Sequence, residues 1–136
     1  MLNPFPIQYL ALFAYFILRV FVGLVLLYLG NKHWEDRYEL FEIKVPARFS
    51  FVGPFVKTGV FLLVIIEVVI GLMFIVGYYT QIAALILIIM SIKMLVFSKY
   101  LQHPSIPRKL TYVLFLGIGI SLFITGAGVF AFDLPI

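Results

Sequence analysis

The chain has 136 residues, of which 64% are hydrophobic and 12% charged, with a net charge of +4 and a mean hydropathy of +1.16. So few polar groups cannot cover a soluble globule, and the length allows one domain, 1–136, that belongs in a bilayer. Cysteine is absent, which excludes a dithiol relay, covalent haem attachment and a thiolate metal site.

Four apolar segments, at about 7–29, 57–76, 81–97 and 110–130, each approach the ~20 residues a spanning helix needs. Backbone groups in lipid must be satisfied within their own segment, so the expected fold is all-α, an integral membrane four-helix bundle. Met1–Gln8 has no Lys or Arg, and no small-residue cleavage pattern follows the first apolar stretch, which reads against a cleavable signal peptide.

Pro4 and Pro6 discourage helix before the first segment, whose middle carries Arg19. Gly23 and Gly30 fall on roughly the Arg19 side, where small residues let a neighbouring backbone come close. In the first loop Trp34, Tyr38, Phe41 and Val45 recur at helical spacing among charged residues, up to Pro46. This predicts an amphipathic interfacial helix at about 33–45. Its net charge is acidic, which suits a cap on the bundle or contact with a partner protein better than binding to anionic lipid.

The second segment is apolar from Gly59 to Val76 except for Glu67 at its centre. An acid at that depth needs a partner or a proton. Arg19 and Glu67 are expected at similar depths on adjacent antiparallel helices, where a guanidinium–carboxylate pair would hold both. Such a pair serves equally as a structural clamp or as part of a ligand site.

Lys93 lies about one turn from the end of the third segment, within snorkelling reach of the interface. Turned inward, it would set two cations against one carboxylate. That excess would suit an anionic or carbonyl-bearing guest such as a quinone headgroup, with Met90 as a soft wall. The third loop is basic and broken by Pro104 and Pro107. His103 there and His33 after the first segment are the only histidines, and both read as solvated interface residues rather than haem ligands. In the fourth segment Gly117, Ser121 and Thr125 form a small-xxx-small face for close helix packing, and Gly119, Gly126 and Gly128 add a second thin side. Either side could serve the bundle or another subunit.

The eight basic residues outside the spans all fall in loops one and three. The positive-inside rule therefore places those loops in the cytoplasm and both termini outside a cell (inner or plasma) membrane. The positive charge is a topology signal and not a nucleic-acid surface. The expected partners are the lipid bilayer and a larger membrane protein complex, or further copies of the chain.

Arg19, Gly23, Gly30 and Lys32 (R-x3-G-x6-G-x-K), then Glu67 with Gly71, Gly77 and Thr80 followed by Ala83 and Ala84, resemble the DoxX-like family of small four-helix membrane proteins. The resemblance covers the first three helices, about 17–90. It implies a bundle associated with membrane redox systems, in which some relatives are quinone-linked subunits and others assembly or trafficking helpers. It also implies that Arg19, Glu67 and Lys32 are the family's membrane Arg, Glu and post-helix Lys. The longer acidic first loop and the missing cysteines depart from thiol-linked relatives.

Two function classes follow. One is an accessory, structural or assembly subunit of a membrane complex, of redox or respiratory type. The other is a quinone-binding redox subunit with its site near Arg19, Glu67 and Lys93. A proton-coupled transporter working through Glu67 is opposed by Arg19, which at the same depth would hold the acid ionised and occupied. No complete active site, metal cage, dinucleotide fingerprint or P-loop is present, so a non-catalytic subunit is expected, with quinone the one cofactor suggested and no metal.

Overall fold

The computed structural model describes residues 7–42, 55–97, 104 and 106–126. Five helices follow in chain order: α1 (Ile7–Glu35), α2 (Arg37–Phe41), α3 (Val56–Val76), α4 (Thr80–Phe97) and α5 (Lys109–Thr125). Three of them, α1, α3 and α4, are long and apolar enough to cross a membrane, and α5 is a shorter apolar helix. The protein is a helical membrane bundle. Its outer surface is paved with exposed Phe21, Leu24, Leu62, Leu72, Leu85, Ile89 and Leu114, the side chains lipid accepts.

The bundle is built from two antiparallel pairs. α1 packs along α3 and α4 along α5, while the two pairs touch over a smaller area. In the first pair, a Cβ added at Gly23 would fall 2.7 Å from the Gly71 carbonyl oxygen, and one at Gly71 would fall 2.9 Å from the Gly23 carbonyl oxygen. Two glycines thus let two backbones meet directly. Seven residues on, Gly30 admits Val68, whose Cγ2 would lie 2.9 Å from an added Cβ. In the second pair Gly119 does the same for α4, with Ile88 Cγ1 at 2.9 Å and the Ala84 carbonyl oxygen at 3.4 Å. Val22, Leu26, Phe74, Leu87 and Leu122 fill the core between the pairs.

The helix boundaries correct two expectations. α1 does not stop at residue 29 but runs to Glu35, about 43 Å of helix, well beyond the ~30 Å hydrocarbon core. The interfacial helix expected over 33–45 is accordingly reduced to α2, which follows one residue after α1; residues 43–45 lie outside the described residues. The junction at Asp36 stays nearly helical, since its N–H donates to the Lys32 carbonyl at 3.0 Å. Arg37 finishes α1 by donating from Nη1 to the Trp34 carbonyl at 2.7 Å, with its guanidinium carbon 4.4 Å from the Trp34 ring centroid and 4.5 Å from that of Tyr38. The face of α2 turned inward is that of Leu40, while Trp34 and Tyr38 of the expected apolar stripe are exposed.

Between α3 and α4 the chain turns in three residues. Gly77 caps α3 with φ 74°, and its N–H and that of Tyr78 both donate to the Met73 carbonyl, at 2.8 and 3.1 Å. Pro107 and the extended Arg108 precede α5, and Gly126, with φ 73°, ends it. The end of the bundle where α1 finishes and α3 and α5 begin carries Lys32, Arg37, Lys57, Arg108 and Lys109, and is called the basic end below. Gly77 marks the hairpin end.

Candidate functional site

The buried face of α3 is read from its spacing: Val64, Glu67, Ile70, Gly71 and Phe74. The facing stripe of α1 is Arg19, Val22, Gly23, Leu26, Leu29, Gly30 and His33, all buried. Those two stripes and the glycine contacts fix which residues share a level. Gly30 lies beside Glu67, whose Cβ would be 3.4 Å from an added Cβ there. His33, three residues on and on the same face, therefore reaches the carboxylate. Its Nδ1 lies 2.7 Å from Glu67 Oε2, with both side chains essentially inaccessible.

The same register moves Arg19 away from Glu67. Its guanidinium packs at the hairpin end against Gly77, where an added Cβ would fall 2.8 Å from Cζ, Nη1 and Nη2. Its Cζ also lies 5.5 Å from the Phe16 ring centroid. Arg19 precedes Gly30 by eleven residues, about 16 Å along the helix, so the expected Arg19–Glu67 pair does not form. A similar depth follows only from counting along the sequence from the outer end of the first segment and the inner end of the second. The two extra turns of α1 and the Gly23–Gly71 contact set a different register.

Lys93 is exposed on the outer face of α4, while its neighbours Met90, Ser91 and Met94 are buried. It lies outside the bundle interior, where a lysine stem can reach the interface. The three-residue guest site at Arg19, Glu67 and Lys93 is not assembled. Lys32 sits half-buried in the last turn of α1, and Thr80 is buried as the first residue of α4, at the hairpin end.

The residue that the sequence reading misplaced is His33. Expected in solvent, it is buried and holds the one acid of the spans; His103 lies outside the described residues. Tyr112 of α5 is also buried, in the first turn of its helix, and packs edge-on against Phe115 with ring centroids 6.4 Å apart. His33 Nε2, Glu67 Oε1 and the Tyr112 hydroxyl are all buried and have no hydrogen-bond partner among the described residues. A histidine and a carboxylate supply only two of the ligands a metal needs, and no cluster of three or more His, Asp or Glu side chains occurs among the described residues.

Of the two thin sides of α5, the structure uses one within the bundle. Gly119 makes the close approach to α4, while Gly117 has nothing within 4 Å of an added Cβ. Ser121 is half-buried, and Thr125 is exposed with its hydroxyl donating to the Ser121 carbonyl at 2.7 Å. The Gly117–Ser121–Thr125 face is thus not consumed within the bundle.

An all-helical, multi-pass membrane bundle with a buried His–Glu contact and no assembled catalytic centre among its described residues is the class these features define. The DoxX family model matches residues 14–100, and the chain belongs to the DoxX family. The match runs from α1 through α4 and includes Arg19, His33 and Glu67, but it ends before α5 and Tyr112. No curated protein and no solved structure matches the chain significantly.

Proposed function

We propose that this DoxX-family chain is an accessory subunit without a catalytic centre of its own, which works by packing against a larger membrane protein. A membrane redox or respiratory complex is its setting in this reading. The observation that carries it is the outward Gly117–Ser121–Thr125 face of α5. Gly23, Gly30, Gly71 and Gly119 are filled by a neighbouring helix of this chain, whereas Gly117 in the middle of α5, like Gly59 in the first turn of α3, meets nothing, and Gly117 is the one followed by Ser121 and Thr125 on its own face. A groove of small residues facing lipid suits a transmembrane helix of another protein. The basic end faces the cytoplasm in this reading, because the lysines and arginines outside the spans gather there.

Mild detergent extraction followed by native electrophoresis tests the proposal. The protein is expected to migrate in an assembly with other polypeptides, and Gly117→Leu is expected to release it without loss of its own thermal stability. A particle of the chain's own mass carrying stoichiometric quinone in its lipid extract would support the redox-subunit reading instead. A particle containing only copies of the chain would reduce the partner to the chain itself.

A further inference from the structure

A subunit that only packs has no need of a buried, hydrogen-bonded, titratable pair. His33 of α1 and Glu67 of α3 provide one, joined through the 2.7 Å contact between Nδ1 and Oε2. Each keeps a further buried polar atom with no partner among the described residues: Nε2 and Oε1. Burying such atoms is unfavourable, and apolar residues of similar size would avoid the penalty. What the cluster offers in exchange is proton binding. An imidazole and a carboxylate that share one hydrogen bond pass a proton along it, and imidazole does so near neutral pH.

We propose that His33 and Glu67 form a buried proton-binding site that loads and unloads through the basic end of the bundle, with His33 Nε2 as its port. In the unloaded state a neutral imidazole donates its Nδ1–H to the Glu67 carboxylate, and the cluster carries one negative charge. A proton delivered by water at the basic end binds Nε2, and the Nδ1 proton crosses to Oε2. The products are a neutral imidazole protonated on Nε2 and a carboxylic acid. One N–H bond forms, one N–H bond is exchanged for an O–H bond, and the cluster gains one proton and becomes neutral. Unloading is the reverse.

Position favours the basic end. His33 occupies the last turn of α1, next to half-buried Lys32, and Tyr112 the first turn of α5. Arg19, which would have held the carboxylate ionised, is packed at the hairpin end instead. The other described ionisable groups near that end are peripheral. Glu35 of α1 is exposed, Asp36 and Arg37 at the α1–α2 junction are half-buried, and Tyr38, Glu39 and Glu42 are exposed. Lys57 of α3, Lys93 of α4, Arg108 before α5 and Lys109 of α5 are exposed as well. No other titratable side chain of α3, α4 or α5 is buried.

The test is infrared difference spectroscopy of the full chain in lipid nanodiscs during a pH change, read with the imidazole nitrogen resonances of His33. The carboxyl C=O band is expected to appear on acidification together with a change at His33 Nε2, and to be lost in Glu67→Gln. His33→Gln is expected to move its midpoint by about one pH unit or more. Lys93→Met is expected to leave it in place. A carboxyl signal that does not change between about pH 5 and 9, or one with the same midpoint in His33→Gln, overturns the proposal. Sidedness gives a second measurement on the unmutated chain, should His33→Gln not fold. In uniformly oriented vesicles a pH step on the basic side is expected to drive the band, and a response to the hairpin side alone overturns the port.

Discussion

Gly23 and Gly71 meet backbone to backbone across α1 and α3, each with the other's carbonyl oxygen where its own Cβ would stand. That contact sets the register from which the His33–Glu67 bond follows. A side chain at either position forces the helices apart. Gly71→Leu is expected to destabilise the bundle by about 1–3 kcal/mol or more, as overpacking of a close interface does. Gly117→Leu, with open space around it, is expected to stay within about 0.5 kcal/mol of the parent. Thermal unfolding in detergent, followed by size-exclusion chromatography, compares the two. Equal losses would contradict the packing described.

The hairpin end makes a separate demand. Gly77 has φ 74° and the Arg19 guanidinium 2.8 Å from where a Cβ would sit, while Gly126 has φ 73° and only Gln81 Nε2, at 3.9 Å. Gly77→Ala incurs the left-handed penalty of about 1–2 kcal/mol, and Gly126→Ala, at ψ −160°, the cost of a conformation open almost only to glycine, about 1–3 kcal/mol. Gly77→Ala is expected to be partly relieved by Arg19→Ala, which removes the guanidinium, and Gly126→Ala is expected to gain nothing from it. The same thermal assay reads the difference.

For the buried pair, His33→Leu leaves the Glu67 carboxylate without its imidazole and is expected to cost about 3–5 kcal/mol. The double variant His33→Leu/Glu67→Leu removes both polar groups and is expected to recover most of that loss. Arg19→Gln combined with Glu67→Gln is expected to be additive within about 0.5 kcal/mol, since the two residues share no contact. Strong coupling of Arg19 to Glu67 in a double-mutant cycle would restore the pairing expected from the sequence.

Orientation is read by labelling. Cysteines introduced near Leu2 and after Pro135 are expected to react with an impermeant maleimide in intact cells, and one at Arg37 to remain protected. The reverse pattern would invert the bundle and move the His33 port to the outer face.

The helices were legible because hydrophobic length alone decides them: α3 was expected over 57–76 and is Val56–Val76. The face of α4 was legible too, though the sequence reading left it open. Ala83, Ala84, Leu87, Met90, Ser91 and Met94 recur every three or four residues and leave Lys93 off the stripe. Register was not legible, because it depends on which glycine meets which across two helices. Ending α1 at residue 29 then hid His33. Carried one more turn, the Arg19–Gly23–Leu26–Gly30 stripe would have turned that imidazole toward α3. On α5 the pattern of small residues is ambiguous, since two faces are thin and only the structure shows that α4 packs on Gly119.

The pairing of α1 with α3 and of α4 with α5 also bears on how the protein is made. Each pair is contiguous in the chain, so a ribosome delivers them one after the other. The first hairpin has its glycine contact and its His–Glu bond available before α4 emerges, which gives Glu67 a partner during insertion rather than after it. An acid whose partner lies on the preceding helix need not wait for the second hairpin to be held in the bilayer.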